Sequence, residues 1–559
     1  MIDSHPPSIS RLSPVFVGLA ASLFLFLFTA CAPPAPPKPP VRELTRPASS
    51  LLALAPTAYG NSTPLALPDD RGSAAAQAAF FGMVSGRAGH EPALDLVAAV
   101  VGKVYAEEQE LPADALVQWL YWKCGVVSLP GAVNVLVAPP DAEPYFQEHL
   151  RRLAAIIPKS DATFSFGVAR IAVNGYVVQT IAIGVRPVDV APITKSVAPG
   201  SKVALHIVPK KAYTDLTLYV DQGGPSVLAL PLKQEADGTY SAEAPLPPAA
   251  GRYFIEVVGV ETPPAGSASQ GWRVSLLWLP LHAGVLEPAA PDDFIRHPRK
   301  NHPDPSTWPF EIFNAFNDER VRLGRAPLVL EEQASRFAQQ RSDELANLSS
   351  LPVPERGLYG KLAGAGVPVR HLSGYVTDIE FVSEYIALRL LHPAARYTLF
   401  DPAITTFALG LSQRRVAPGI GLFESVEYVF EQIRVDPPKE RDRILGELDA
   451  IEIAAGNKAF ERSEPLSTAA QGIVDEVCRG GPKPTDAHKL FARAVGLDPS
   501  LRRRNAVPWL GYDLTKAEIA AVHEHVKGEG YTHVGVGICQ GTVDGRRGGV
   551  LMIALFAGR

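Results

Sequence analysis

Apolar positions along the chain fall into two periodicities, and the order in which they alternate predicts its elements. Between Gly324 and Leu345, residues Ala334, Phe337, Ala338 and Leu345 recur at the spacing of one helix face; Leu466, Ala469, Ala470, Ile473 and Val477 do the same between Gly456 and Val477. The two segments align without gaps at an offset of 132, with seven of 22 positions identical: Gly324/Gly456, Glu332/Glu464, Ser335/Ser467, Ala338/Ala470, Gln339/Gln471, Asp343/Asp475 and Glu344/Glu476. Such self-similarity marks an internal repeat. Each segment follows another amphipathic stretch, Ile312-Phe313-Phe316 or Ile444-Leu448-Ile451-Ala455, that stops at its glycine as a helix C-cap does. A strand signature closes each unit: Phe407-Ala408-Leu409-Gly410-Leu411 and Val534-Gly535-Val536-Gly537-Ile538, with a third copy upstream at Phe164-Ser165-Phe166-Gly167-Val168. A second β-rich run follows each copy, at Val173 to Val185, Val426 to Val435 and Gly549 to Phe556. Glycine inside an alternating strand admits a close-packed backbone or bulky side chain, so the repeated glycine predicts helices lying on a sheet. Helical stretches at Ala74 to Val84, Leu94 to Ala106 and Ala115 to Lys123 precede the upstream copy.

Between the upstream and middle units the pattern changes to short strands: Lys202 to Ile207, Leu216 to Val220, Ser226 to Leu230, Thr239 to Ala242, Arg252 to Val258 and Trp272 to Leu279. Asp237-Gly238 is a hairpin signal, and Gly251 to Val257 alternates as a half-buried strand. This stretch looks like an immunoglobulin-like sandwich. Glu287 to Pro309, with six prolines, reads as a linker.

At the front, Pro14 to Ala30 is an apolar run preceded by Arg11 and free of charge until Lys38. It is too short for an ordinary membrane span and reads as a signal-peptide core. Leu27-Phe28-Thr29-Ala30-Cys31 resembles the bacterial lipobox, in which a cysteine takes a diacylglycerol thioether; cleavage then falls between Ala30 and Cys31. Acyl chains on Cys31 would tether a soluble body to a bilayer. Seven prolines between Ala32 and Ser50 form a stiff spacer. Ala32 rather than Asp after the cysteine resembles the pattern of lipoproteins sent to the outer membrane.

Composition narrows the function class. The chain has 559 residues, 47% hydrophobic, with 53 basic and 58 acidic side chains for a net charge of −5. No basic block exceeds Arg502-Arg503-Arg504, so nucleic acid is not an expected partner. The chain has no His-Glu-x-x-His, nucleophile-elbow serine or P-loop.

The two C-terminal units resemble the CAP superfamily (cysteine-rich secretory proteins, antigen 5 and pathogenesis-related proteins), also called SCP-like, in its bacterial, cysteine-poor form. The matching pieces are Asn317-x-x-Arg320-x-x-x-Gly324-x-x-Pro327-Leu328, the helix Ala334 to Leu345, Leu362-x-x-x-Gly366, His392-Pro393-Ala394-Ala395-Arg396, Leu399-x-Asp401-Pro402 and the apolar-glycine strand. The resemblance covers about 250 C-terminal residues and implies an α-β-α sandwich; the upstream unit is a diverged case. Family members with a cleft tetrad use two His and two Glu that bind a divalent metal. Here Ala395 replaces one His, the Glu-Asn region reads His371-Leu372-Ser373-Gly374, and Arg504 to Asp513 holds neither Glu nor His. Without converging imidazoles and carboxylates a first-row metal is not held, so neither tetrad chemistry nor a metal cofactor is expected.

The expected fold is therefore α/β (α+β): repeated α-β-α sandwich CAP-like units with an inserted all-β immunoglobulin-like sandwich. The expected segments are a signal peptide (1–30), a lipidated proline-rich linker (31–50), a diverged CAP-like unit (51–188), the β-sandwich (189–286), a linker (287–309) and CAP-like domains at 310–436 and 437–559. By analogy with the family, His371 and His392 flank the second unit's cleft. His523-Glu524-His525 lies in an expected helix, Lys516 to Lys527, where residues two apart face different sides, and reads as solvated surface. Cys478 and Cys539 are candidates for a disulfide after export, with buried thiols as the alternative; Cys124 is expected in a core. The functional expectation is a non-catalytic cell-envelope lipoprotein, held to a membrane by its N-terminal lipid and binding an unnamed extracellular or envelope ligand. The alternatives are a peptidase-like hydrolase around His371 and His392, or a carrier of apolar ligands.

Overall fold

A computed structural model of the protein describes residues 51–61, 63, 67, 72–108, 114–157, 163–261, 273–287, 304–347, 358–379, 382–413, 423–481, 491–543 and 546–559. The apolar run, Ala30 and Cys31 lie outside the described residues. Among the described residues no helix is long and apolar enough to cross a membrane.

The chain is mixed α and β, with three helix-on-sheet units and one all-β body. A short leading strand, β1 (Ala58–Tyr59), precedes the first unit, which contains α1 (Ser73–Val84), β2 (Ala88–His90), α2 (Pro92–Glu108), α3 (Asp114–Lys123), β3 (Leu129–Ala138), α4 (Glu143–Ile156), β4 (Phe164–Val173) and β5 (Tyr176–Val185). Its sheet runs β2-β4-β5-β3. The two-sheet body follows: β6 (Val188–Val190), β7 (Ile193–Thr194), β8 (Ser196–Val197), β9 (Lys202–Pro209), β10 (Tyr213–Asp221), β11 (Val227–Pro231), β12 (Lys233–Gln234), β13 (Tyr240–Pro245), β14 (Gly251–Glu261) and β15 (Arg273–Ala283).

The middle unit has α5 (Trp308–Arg322), β16 (Val329–Leu330), α6 (Glu332–Ala346), α7 (Leu358–Gly364), β17 (Val369–Ile379), α8 (Val382–Leu391), α9 (Pro393–Leu399), β18 (Thr406–Gln413) and β19 (Phe423–Gln432), with sheet order β16-β18-β19-β17. The last has α10 (Pro437–Ala454), β20 (Glu461–Arg462), α11 (Glu464–Cys478), β21 (Arg503–Gly511), α12 (Lys516–Glu524), β22 (Tyr531–Val543) and β23 (Arg546–Gly558), with order β20-β22-β23-β21.

One topology thus occurs three times. In each unit a short strand pairs parallel with the third strand, the third and fourth form an antiparallel ladder, and the second closes the far edge. Separate apolar cores line the two faces of each sheet. In the last unit Leu466, Ala470 and Ile473 pack with Leu551 and Leu555 on one face, while Ile444, Leu448 and Ile519 pack with Val536 and Met552 on the other. Alternation along β22 sorts the side chains between them. The 132-residue offset also extends beyond the segment visible as identities. Asn317 Oδ1 accepts the Leu328 amide at 2.7 Å, and Asp449 Oδ1 accepts the Phe460 amide at 3.2 Å. Glu331 and Ser463 cap the following helices, and Gly324 and Gly456 adopt φ of 71° and 81° at the preceding helix ends.

The strand glycines do what their placement implies. A Cβ on Gly410 would stand 2.2 Å from the Ala338 carbonyl carbon, and one on Gly537 2.3 Å from that of Ala470. One helix glutamine then clasps the next strand residue in both directions: Gln339 with Leu411 (3.0 and 2.8 Å) and Gln471 with Ile538 (3.2 and 3.0 Å). The upstream copy is displaced. Gly167 faces Leu94, three residues after the helix-leading Glu91, as Gly535 faces Leu466 three residues after Ser463. Gly167 therefore matches Gly535 and Ala408, and Ala169 takes the place of Gly410 and Gly537. Short apolar motifs carry no register of their own, so an ungapped reading slipped by two residues.

The all-β body consists of sheets ordered β11-β10-β14-β15-β8 and β12-β13-β9-β6 around a shared core that includes Leu205, Ile207, Leu218, Val220, Ile255, Val257 and Leu279. Here one expectation fails. Strand β14 is buried on both faces from Tyr253 to Gly259, not on one. Its inward residues fill the sandwich, while Val258, with Tyr219 of β10, joins the core of the middle unit. A strand's own alternation says nothing about what covers its second face.

Candidate functional site

The outer face of β14 and β15 is where the units meet. Glu256 and Trp278 stand directly opposite each other in the ladder, and both are buried. From the first unit, Trp122 at the end of α3 donates its indole N–H to the Trp278 carbonyl at 3.0 Å and stacks edge-on against the Trp278 ring at 4.8 Å. From the middle unit, the His392 ring lies flat on Trp278, with centroids 3.5 Å apart and planes at 22°. His392 Nδ1 is 3.1 Å from Glu256 Oε1, and the Ala394 amide donates to Glu256 Oε2 at 2.9 Å. His392 precedes α9, so the buried Glu256 carboxylate meets the amide end of that helix and an imidazole together. Arg396 of the same helix reaches the Gly224 carbonyl and approaches Asp221 at 4.0 Å, whose carboxyl burial raises above its ordinary pKa despite that cation.

This arrangement corrects the expected cleft. His392 is an inter-unit contact. His371 lies on β17 with most of its side chain in solvent, 3.6 Å from Glu431 and beside Arg370, which pairs with Asp513 of the last unit at 2.6 Å. His392 contacts the sandwich, whereas His371 contacts Glu431 of its own unit. Ala395 is buried in the α9 packing. The sequence signal that was missed was the run of large side chains on both faces of β14 and β15, where a solvated face would carry polar residues.

The middle unit also buries a charged group. Arg389 of α8 donates to Glu427 of β19 at 2.5 Å, Tyr385 donates to the other carboxylate oxygen at 2.5 Å, and the guanidinium lies over the Tyr375 ring at 3.8 Å. Burial and then Glu427 raise the Tyr385 pKa. For Arg389, Glu427 and the two tyrosines outweigh burial and hold the guanidinium charged. Closed from water, this triad has the chemistry of a satisfied structural pair.

Histidine 523 also departs from expectation. It is buried rather than solvated, with Nε2 2.6 Å from Glu452 Oε1, while Asn457 donates to the other oxygen at 2.7 Å. Glu452 occupies the repeat position of Arg320, which instead donates to the carbonyls of Ala326, Leu399 and Ile404. One position thus ties a helix to the rest of its unit through opposite charges in the two repeats.

A disulfide joins Cys478 at the end of α11 to Cys539 of β22, with Cα atoms 6.4 Å apart. The equivalent contact in the first unit is the apolar pair Ala106 and Ile171, and in the middle unit Ser412 is held by Asp343 and Gln339. Cys124 is a free buried thiol, its pKa pushed by burial up to about 12. Among the described residues no three His, Cys, Asp or Glu side chains are grouped to hold a metal ion.

No protein-family model and no curated protein matches the chain. Among solved structures, the chain is similar to a cysteine-rich secretory protein from Staphylococcus aureus, with 12% identity and a TM-score of 0.20 over 48% of this chain and 83% of that one. A second similarity is to an extracellular protein containing an SCP domain from Bacillus anthracis, with 11% identity and a TM-score of 0.20 over 43% of this chain and 85% of that one. These neighbours are SCP-domain proteins, and at this identity and TM-score they carry no argument about what this chain does.

Proposed function

We propose that the chain is a non-catalytic binding protein of the cell envelope: a lipid-anchored body in which CAP-like units and an immunoglobulin-like sandwich are joined into one scaffold. The segment limits proposed above, lipid attachment at Cys31 and an outer-membrane location belong to this reading. The observation that supports it is the fate of His392. The imidazole that the family comparison would place at a cleft lies against Glu256 and Trp278, where it joins two bodies and is 12% exposed. Binding would then use the outer surfaces of the units.

The test has two arms. Labelled palmitate should enter the full chain and be lost in Cys31→Ser, which should leave the membrane fraction. The purified protein should show no stoichiometric metal and no peptidase activity, for the wild type and for His371→Ala/His392→Ala alike. Peptidase activity that disappears in the double variant would overturn the non-catalytic reading; an unlabelled wild type would overturn the anchor.

A further inference from the structure

Lys195 lies in the turn between β7 and β8, almost wholly buried between the first unit and the sandwich. Its amide donates to the Thr57 carbonyl at 3.1 Å, its carbonyl accepts the His282 amide at 2.8 Å, and its ammonium lies 5.3 Å from the centre of the Tyr59 ring. The ammonium donates to the Lys123 carbonyl at 2.5 Å, at the C-terminal end of α3 where a cation is favoured. It also donates to Glu287 Oε1 at 3.3 Å, while the Lys123 ammonium holds Glu287 Oε2 at 3.0 Å. One carboxylate is thus gripped at both oxygens by two lysines, one from each body. The other titratable groups facing Lys195 are not anions near neutral pH: burial puts His282 at about 4 and the Cys124 thiol at about 12. Glu287 follows an exposed exit from β15, where Val285 is 37% and Leu286 94% exposed. The glutamate side chain is therefore the inward anchor of an otherwise outward segment.

We propose that Lys123 and Lys195 form an oxyanion-binding site that Glu287 occupies as a tethered internal ligand, and that a carboxylate or phosphate of similar size takes its place and frees residues 284–287 from the two lysines. A buried ammonium without an anion is unfavourable, so an incoming anion that pairs with the lysines favours the departure of Glu287. Binding and release are therefore linked, and ligand shifts the population toward the released form by its preference for the vacated lysines. The proposal does not depend on how the chain is anchored.

The experiment compares the full-length wild type with Glu287→Gln in sodium phosphate, sodium acetate or sodium chloride at matched ionic strength. Glu287→Gln should melt below the wild type in chloride and recover saturably in phosphate or acetate, with an apparent Kd at least tenfold tighter than the wild type shows. Lys123→Met in the same background should abolish the recovery. Recovery in only one salt assigns the anion class. If Glu287→Gln does not fold, thermolysin cleavage at the Val285–Leu286 bond of the wild type is the deciding measurement, and phosphate or acetate should accelerate it severalfold over chloride. Equal behaviour in all three salts, in either measurement, overturns the proposal.

Discussion

Two glycine-to-alanine substitutions, Gly537→Ala on β22 and Gly472→Ala on α11, should change the last unit's stability in opposite directions. In Gly537→Ala the new methyl would stand 2.3 Å from the Ala470 carbonyl carbon and 2.4 Å from the Gln471 nitrogen. Carbon contacts settle near about 3.5–4.0 Å, and both obstructing atoms are backbone, so helix and sheet must part. Overpacking of this kind costs about 1–3 kcal/mol. Parting also stretches the Gln471 clasp on Ile538, whose two bonds of 3.2 and 3.0 Å contribute about 1 kcal/mol each. The expected loss is about 3–5 kcal/mol. In Gly472→Ala, on the exposed side of the same helix, a Cβ meets nothing within 4 Å. Alanine there should stabilise by about 0.5–1 kcal/mol through helix propensity. Because several bodies share the chain, a single unfolding midpoint is a poor readout. Hydrogen exchange on peptides from β22 and α11 reads this unit directly. Gly537→Ala within about 0.5 kcal/mol of wild type, or a loss of equal size from Gly472→Ala, would refute the close-approach argument; about 0.5 kcal/mol is the scatter of neutral surface changes.

Three further outcomes are expected. Reducing Cys478–Cys539, which closes a loop across 61 positions, should destabilise the last unit by up to about 4 kcal/mol in the chain-entropy account, read as faster exchange in β22 under reductant with the sheets of the other two units unchanged. Glu256→Ala should cost about 3–5 kcal/mol, because it strands His392 and the Ala394 amide in a buried contact, and a double-mutant cycle with His392→Ala should return a coupling of about 1–3 kcal/mol; a coupling near zero would remove His392 from the junction. His149 accepts from Gln179 at Nδ1 and meets Asn134 at Nε2, and burial lowers its pKa to about 3. Its folded pKa lies below the unfolded value of about 6.5, so the unfolded state binds the extra proton and the first unit should lose stability as pH falls from about 6.5 toward 3. His149→Gln should flatten that slope by up to one proton, measured by urea midpoints across the range.

The repeat, the helices and most strand limits were legible because they are local. Spacing along one element decides which side chains share a face, and the expected strand at Lys202 to Ile207 emerges as Lys202–Pro209 for that reason. The strand glycine was legible too, since an absent side chain in an apolar strand has few other uses. The contacts of His392, His371 and His523 were not. Each is settled by a residue remote in sequence: Glu256 lies 136 positions from His392 and Glu452 lies 71 from His523. Nothing in the local pattern distinguishes a histidine aimed at solvent from one aimed at a buried carboxylate. The same holds for β14, whose alternation announces one covered face while the packing of the middle unit supplies the other. Periodicity is a property of one chain segment, whereas the partner of a face depends on how separately folded surfaces fit, and that information is distributed over every body in the assembly.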